Sequence, residues 1–239
     1  MIENGKNTQK RMGLLVVTMA LVALSLLAGC AGGPEQATSP KPGAQSGPRF
    51  ELSLQPGSEY AKDMKVFLFK YTVWPQVAVW LETPGGSFVD TLYVTELAVT
   101  KDYTAAPKDG RPEALPVWSA LKQVDVDGVS SPTTVGSAVA YGNDLASKLP
   151  AGTYIVKLET NRSYDWNETY TKKNAGVNGQ PSLIYVADLT IGGEADEASF
   201  IPLGTGSVDG SDGDIRPGLD GIDTALDLFA SMKVAYIPE

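Results

Sequence analysis

Histidine is missing from all 239 residues, and cysteine occurs once. The first absence removes the Ser-His-Asp and Cys-His catalytic arrangements, histidine-ligated haem and most zinc sites, because each needs an imidazole. The second removes any intramolecular disulfide, whatever the compartment. Basic residues are scarce too: 19 Lys and Arg stand against 28 Asp and Glu, a formal net charge of −9 at pH 7. A chain of that charge is repelled by phosphodiester backbones, which argues against a nucleic-acid partner and against electrostatic docking on anionic lipid.

The single cysteine lies in "LSLLAGCAGG", residues 24–33. Residues 1–11 are polar and carry Lys6, Lys10 and Arg11 against Glu3, and residues 12–28 are apolar apart from Thr18 and Ser25. A basic start, a short apolar run and a small-residue exit make a bacterial secretory signal. The run is also near the lower limit for a spanning helix, which needs ~20 residues. Leu27-Ala28-Gly29-Cys30 decides between them, because it resembles a lipobox. In that motif the thiol accepts a lipid and the chain is then cut just before the cysteine. The expectation is therefore a lipoprotein signal peptide over residues 1–29 and a lipidated Cys30, carrying palmitate-type acyl chains. Each buried methylene contributes about 0.8 kcal/mol, so more than one chain gives stable anchoring. Residues 31–49, "AGGPEQATSPKPGAQSGPR", hold four prolines and little to pack, and read as a flexible tether. Ala31 occupies the place where an aspartate would signal retention in an inner membrane, which leans the expectation towards an outer membrane.

Loss of residues 1–29 removes three basic residues and one acidic one, leaving 16 Lys and Arg against 27 Asp and Glu, a net charge of −11. Residues 50–239 suffice for one domain with a real core. The patterning there is of β type. "MKVFLFKYTV" (64–73) and "QVAVWLE" (76–82) are rich in β-branched and aromatic residues, and "TPGG" (83–86) is a turn leading into a long strand over 87–99. "GTYIVKLETN" (152–161) is a strand with Tyr154, Val156 and Leu158 on one face, and 181–191 and 231–238 are further strands. "DTALDLFASM" (223–232) has helical spacing of Ala225, Leu226, Phe229 and Met232, with Asp223 as cap. The expected fold is all-β: an antiparallel immunoglobulin-like β-sandwich with one short C-terminal helix and a long irregular insertion over 100–152.

Five pieces, "WPQVAVWLETPGGSFVDTLYVT", "RPEALPVW", "LETNRSYDWNETY", "NGQPSLIY" and "GSDGDIRPGLDGIDTA", are similar to a bacterial family of predicted periplasmic proteins, domain-of-unknown-function family 2271. The similarity runs from about Met64 to the C-terminus. It implies an extracytosolic β-rich domain without an assigned reaction, in a family associated with membrane redox and flavin-attachment systems. Where some relatives carry a histidine near "PLGTGS", this chain has Thr205, so no role is transferred there.

Three stretches concentrate chemistry. Asp127-Gly128-Val129-Ser130-Ser131-Pro132-Thr133 resembles the recognition sequence of flavin transferases, which join FMN to a threonine hydroxyl through a phosphoester. Thr133 would be the acceptor, although Pro132 stands where that pattern has alanine and stiffens the loop; a plain surface turn is the alternative. Asn161, Asp165, Asn167 and Glu168 lie among Tyr164, Trp166 and Tyr170, a set that can hold a polar ligand or a hard cation, or else simply bond a loop to its strand. Asp209, Asp212 and Asp214 form an acidic turn, a loose calcium candidate that fails the EF-hand spacing; the other reading is an exposed turn. Trp74, Trp80, Trp118 and Trp166 could stack sugars, but Trp80 and Trp118 fit a core better.

The expected function is a lipid-anchored binding or accessory module of the bacterial cell envelope, facing out of the cytoplasm and without catalysis of its own. Its partners would be the membrane, through the lipid, and an envelope protein, with service to a membrane redox system. Two alternatives remain open: an electron carrier with FMN on Thr133, and a calcium-stabilised structural module.

Overall fold

A computed structural model describes residues 47–66, 68–101, 110–121, 139–141 and 143–238. Cys30, the signal-like segment, the spacer up to residue 46 and Thr133 lie outside the described residues.

Strand β1 (Arg49–Pro56) begins where the proline- and glycine-rich composition ends. Its side chains alternate, with Phe50, Leu52 and Leu54 buried. It pairs along its length with the last strand, β12 (Phe229–Ile237), and the core residues face one another: Phe50 with Tyr236, Leu52 with Val234, Leu54 with Met232. β6 (Val139–Tyr141) and β9 (Asp196–Ser199) flank this pair in a four-stranded sheet of order β6-β1-β12-β9. A six-stranded sheet packs on it, ordered β11-β10-β8-β7-β4-β5. Its strands are β4 (Gln76–Glu82), β5 (Phe88–Val94), β7 (Gly152–Asn161), β8 (Leu183–Ile191), β10 (Ile201–Thr205) and β11 (Arg216–Pro217). Both sheets are antiparallel, and the chain is an all-β sandwich.

Between the sheets, Val77, Val79 and Leu81 of β4 and Tyr154, Val156 and Leu158 of β7 meet the inner residues of β1 and β12. Full burial of such side chains contributes about 1.5–3 kcal/mol each. β4 is buried at all seven positions, so its other face is covered as well. There Ala78, Trp80, Val94 and Ile184 pack against Leu115, Val117 and Trp118 of the insertion. Two of these last belong to helix α2 (Pro116–Leu121). The part of the insertion over 110–121 is thus a second cover on the six-stranded sheet, and Trp80 and Trp118 are core residues.

Sequence periodicity and structure part company in three places. The run 64–73 is two strands, β2 (Lys62–Val66) and β3 (Phe69–Val73), paired as a hairpin outside both main sheets. The strand over 87–99 stops at Val94, and helix α1 (Glu96–Thr100) follows. The helix over 223–232 shrinks to one 3-10 turn, Thr224–Asp227, with Asp223 accepting from the Thr224 N–H as expected of a cap. From Phe229 onwards the chain is strand, because pairing with β1 outweighs helical spacing. Leu226, part of the expected apolar stripe, is exposed. The described part of the insertion also contains helix α3 (Asn143–Lys148). Among the described residues no helix is long and apolar enough to cross a membrane.

Leu158→Ala, at the centre of the sandwich, is expected to cost about 2–5 kcal/mol in urea unfolding. Leu226→Ala should cost less than about 1 kcal/mol. Equal losses would restore Leu226 to a buried helix face.

Candidate functional site

The end of β7 carries a run of polar side chains into the interior. Glu159 points to the face that the insertion covers and has no exposed surface. Its Oε2 accepts from the Trp118 N–H at 2.7 Å, and its Oε1 from the Val117 N–H at 3.2 Å and the Ser182 hydroxyl at 2.7 Å. The two amides open α2, where helical N–H groups lack carbonyl partners. A Cβ on Gly206 would stand 2.4 Å from Ser182 Oγ and 3.2 Å from Glu159 Oε1, so only glycine fits against this contact. Burial pushes the Glu159 pKa up from 4.5 to about 7, against the opposing pull of the Ser182 hydroxyl and the Trp118 and Val117 amides.

Arg162, also buried, binds the Glu59 backbone carbonyl and carboxylate and the Asp165 carboxylate, the last at 2.6 Å. Asp165 Oδ1 further accepts from the Thr224 hydroxyl at 2.8 Å, and Oδ2 from Gln180 Nε2 at 3.0 Å. Gln180 Oε1 accepts in turn from the Asp223 N–H at 2.8 Å. Nearby, Arg111 binds Ser163 Oγ and Asn178 Oδ1, and Asn178 Nδ2 returns a bond to the Glu113 carbonyl. Gly179, at φ +80, lets its backbone pass Asp165 where a Cβ would sit 2.4 Å from the carbonyl oxygen. Four separate pieces, "RPEALPVW", "LETNRSYDWNETY", "NGQPSLIY" and the closing "GLDGIDTA", therefore meet in one polar assembly.

This geometry gives each expected ligand-binding residue a place. Asp165 is a hub whose carboxylate is committed to three internal donors. Asn161 is buried and donates to the Gln180 carbonyl at 2.9 Å. Asn167 folds its own loop, accepting from the Thr169 and Tyr170 amides and donating to the Gly221 carbonyl at 2.8 Å. Of the four, only Glu168 is exposed. They are not brought together as a ligand cage. Two buried atoms, Asn161 Oδ1 and Arg162 Nε, lack a hydrogen-bond partner among the described residues.

The acidic turn is bonded largely within itself. Arg216 binds Asp212 with both terminal nitrogens, at 3.0 and 2.7 Å, while Asp209 accepts from Ser207 and Ser211. The Ser207 hydroxyl, followed by Ser211, holds the Asp209 pKa down at about 2, and the Arg216 guanidinium lowers that of Asp212. Among the described residues no three acidic side chains converge as metal ligands. Arg216 offsets one of the three carboxylate charges, that of Asp212.

Outside the polar assembly lies a row of aromatic rings. Tyr164 has a left-handed backbone, φ 62, an uncommon state for tyrosine, enforced by bonds from its N–H to the Val177 carbonyl and from the Asp165 N–H to that of Asn178. Its ring meets Tyr71 of the hairpin at 6.4 Å and Trp166 at 5.5 Å, and Lys172 Nζ stands 5.8 Å from the Trp166 ring. Lys62 Nζ donates to the Tyr164 carbonyl at 2.7 Å. Trp74 is exposed beside Tyr60. Of the four tryptophans, then, only Trp74 and Trp166 reach the surface.

No family model, curated protein or solved structure matches this chain. Glu159, Arg162, Gln180 and Ser182 were not among the sequence candidates. The available signal was a strand that ends in successive polar residues, "ETNR", where the β pattern calls for alternation.

Glu159 makes stability pH-dependent. Its folded pKa lies above its unfolded value, so between about pH 4.5 and 7 the folded state holds the extra proton. Stability at this site is thus fully kept at the acid end and falls as pH rises, by about 3 kcal/mol across the window. In urea unfolding from about pH 5 to 7.5 the wild type should lose ground to Glu159→Gln; parallel profiles would show that Glu159 does not titrate in this range.

Proposed function

We propose that the chain is a lipid-anchored, extracytosolic binding or accessory module of the bacterial cell envelope, without catalysis of its own. The observation that carries this reading is the order along the chain: basic start, apolar run, lipobox ending in Cys30, proline-rich spacer, and then a first strand that opens at Arg49. The site chemistry supports it. Inside the fold Glu159 is tied to two amides and a hydroxyl, and Arg162 to Glu59 and Asp165, while the surface they support presents aromatic rings and lysines. The similarity to the predicted periplasmic family fits the same reading, since most of the pieces that carry it build the buried polar assembly, as a shared scaffold would. Service to a membrane redox system and an envelope protein partner follow from that similarity.

Bacteria grown with radioactive palmitate should label the wild type and bring it down with membranes, whereas Cys30→Ser should be unlabelled. A mature protein that begins at Met1 with a free thiol would overturn the anchor.

A second reading rests on "DGVSSPT", residues 127–133, in the connection between α2 and β6. Here Thr133 carries FMN and the module passes electrons. Co-expression with a flavin transferase should then add the mass of an FMN phosphoryl group to the wild type and none to Thr133→Val. An unmodified wild type removes this reading.

A further inference from the structure

We infer that the β2–β3 hairpin is a membrane-contacting element whose tip enters the headgroup layer of an anionic phospholipid bilayer. Its strands belong to neither main sheet. At the turn, Leu68 is 85% exposed, the most of any large apolar side chain among the described residues. In sequence, all four residues between Lys65 and Lys70 are apolar: Val, Phe, Leu, Phe. Lys65 and Lys70 are register partners directly across the hairpin, and both are exposed.

Like charges directly opposite on a two-stranded ribbon destabilise it, and an isolated hairpin is marginal to begin with. This one is braced from the body, through Lys62 on the Tyr164 carbonyl and Tyr71 against the Tyr164 ring. Among the described residues no ion pair engages either lysine of the rung. Ion pairs among the described residues engage Arg49, Arg111, Lys157, Arg162, Arg216 and Lys233, but not Lys62, Lys65 or Lys70. Asp63 is the hairpin's single acid, and it accepts from Thr72 at 2.8 Å. Three lysines against one aspartate give residues 62–73 a charge of +2 in a chain of −9.

Phosphate groups complement that charge, and the geometry suits a bilayer. The turn lies about two residues beyond the lysine rung, or ~7 Å at ~3.3 Å per residue. Interfacial elements bury their apolar side to about 5–10 Å, so Leu68 at acyl depth leaves the lysines level with the phosphates. The acidic remainder of the domain is repelled from the same surface, which limits contact to the hairpin.

This inference rests on the placement beside a membrane proposed above, and its test reads the two separately. The full chain is reconstituted in vesicles of phosphatidylglycerol and phosphatidylcholine, with a photo-reactive benzophenone amino acid in place of Leu68. Illumination should join lipid to the peptide that contains position 68. Charge reversal by Lys65→Glu with Lys70→Glu should lower the yield about tenfold or more, since each lysine near an anionic surface is worth roughly fivefold and two are lost. The absence of lipid adducts, or a yield that survives charge reversal, overturns the inference. Intact mass of the same sample reads the acyl chains on Cys30. An acylated chain without adducts removes the hairpin contact alone, and adducts on an unacylated chain leave the hairpin contact standing without the anchor.

Discussion

The fold is held in its final form by a carboxylate buried between a sheet and its cover. Glu159 leaves β7 on the face away from the sandwich core and takes the two free amides at the start of α2. Without that acceptor, the two amides that open α2 would be buried unpaired, and the covering segment would keep the apolar contacts of Leu115, Val117 and Trp118, the Trp118 indole bond to the Thr91 hydroxyl and the Arg111 and Glu113 bonds. A carboxylate in such a place bears a desolvation cost that three hydrogen bonds only partly offset, as its raised pKa records. In exchange it fixes direction and register, because a helix start fits a carboxylate in few orientations.

The sequence revealed the strands that follow simple rules. β4 and β7 run over the residues that their composition predicts, β8 differs only at its start, and β12 starts two residues earlier and ends one earlier. β1 was hidden behind a spacer of similar polarity, although its alternation is regular. The short strands β9, β10 and β11 have too few residues for a period to show. The C-terminal helix failed for a different reason: helical spacing in 223–232 is a local preference, and the partner that overrules it, β1, lies at the other end of the domain.

The polar assembly was legible only in part. Asn161 and Asp165 stood out because oxygen-rich residues beside aromatics draw attention, but their direction, inward or outward, is set by remote partners. Arg162 reaches Glu59 across 103 positions, and Glu159 reaches α2 across 41. No local window contains both ends of such a bond. The acidic turn is the opposite case, since Asp212 and Arg216 are four residues apart and could have been paired by inspection.

The pairing of β1 with β12 bears on how the domain is made. The first strand of the sandwich finds its main neighbour in the last nine-residue strand of the chain. Delivered N-terminus first, by a ribosome or through an export channel, β1 waits for nearly the whole polypeptide before its ladder can close. Until then its inner face is bare, and the chain stays extended enough to be threaded. Such a topology couples completion of the fold to complete emergence of the chain, so the last strand made is the one that closes the sheet.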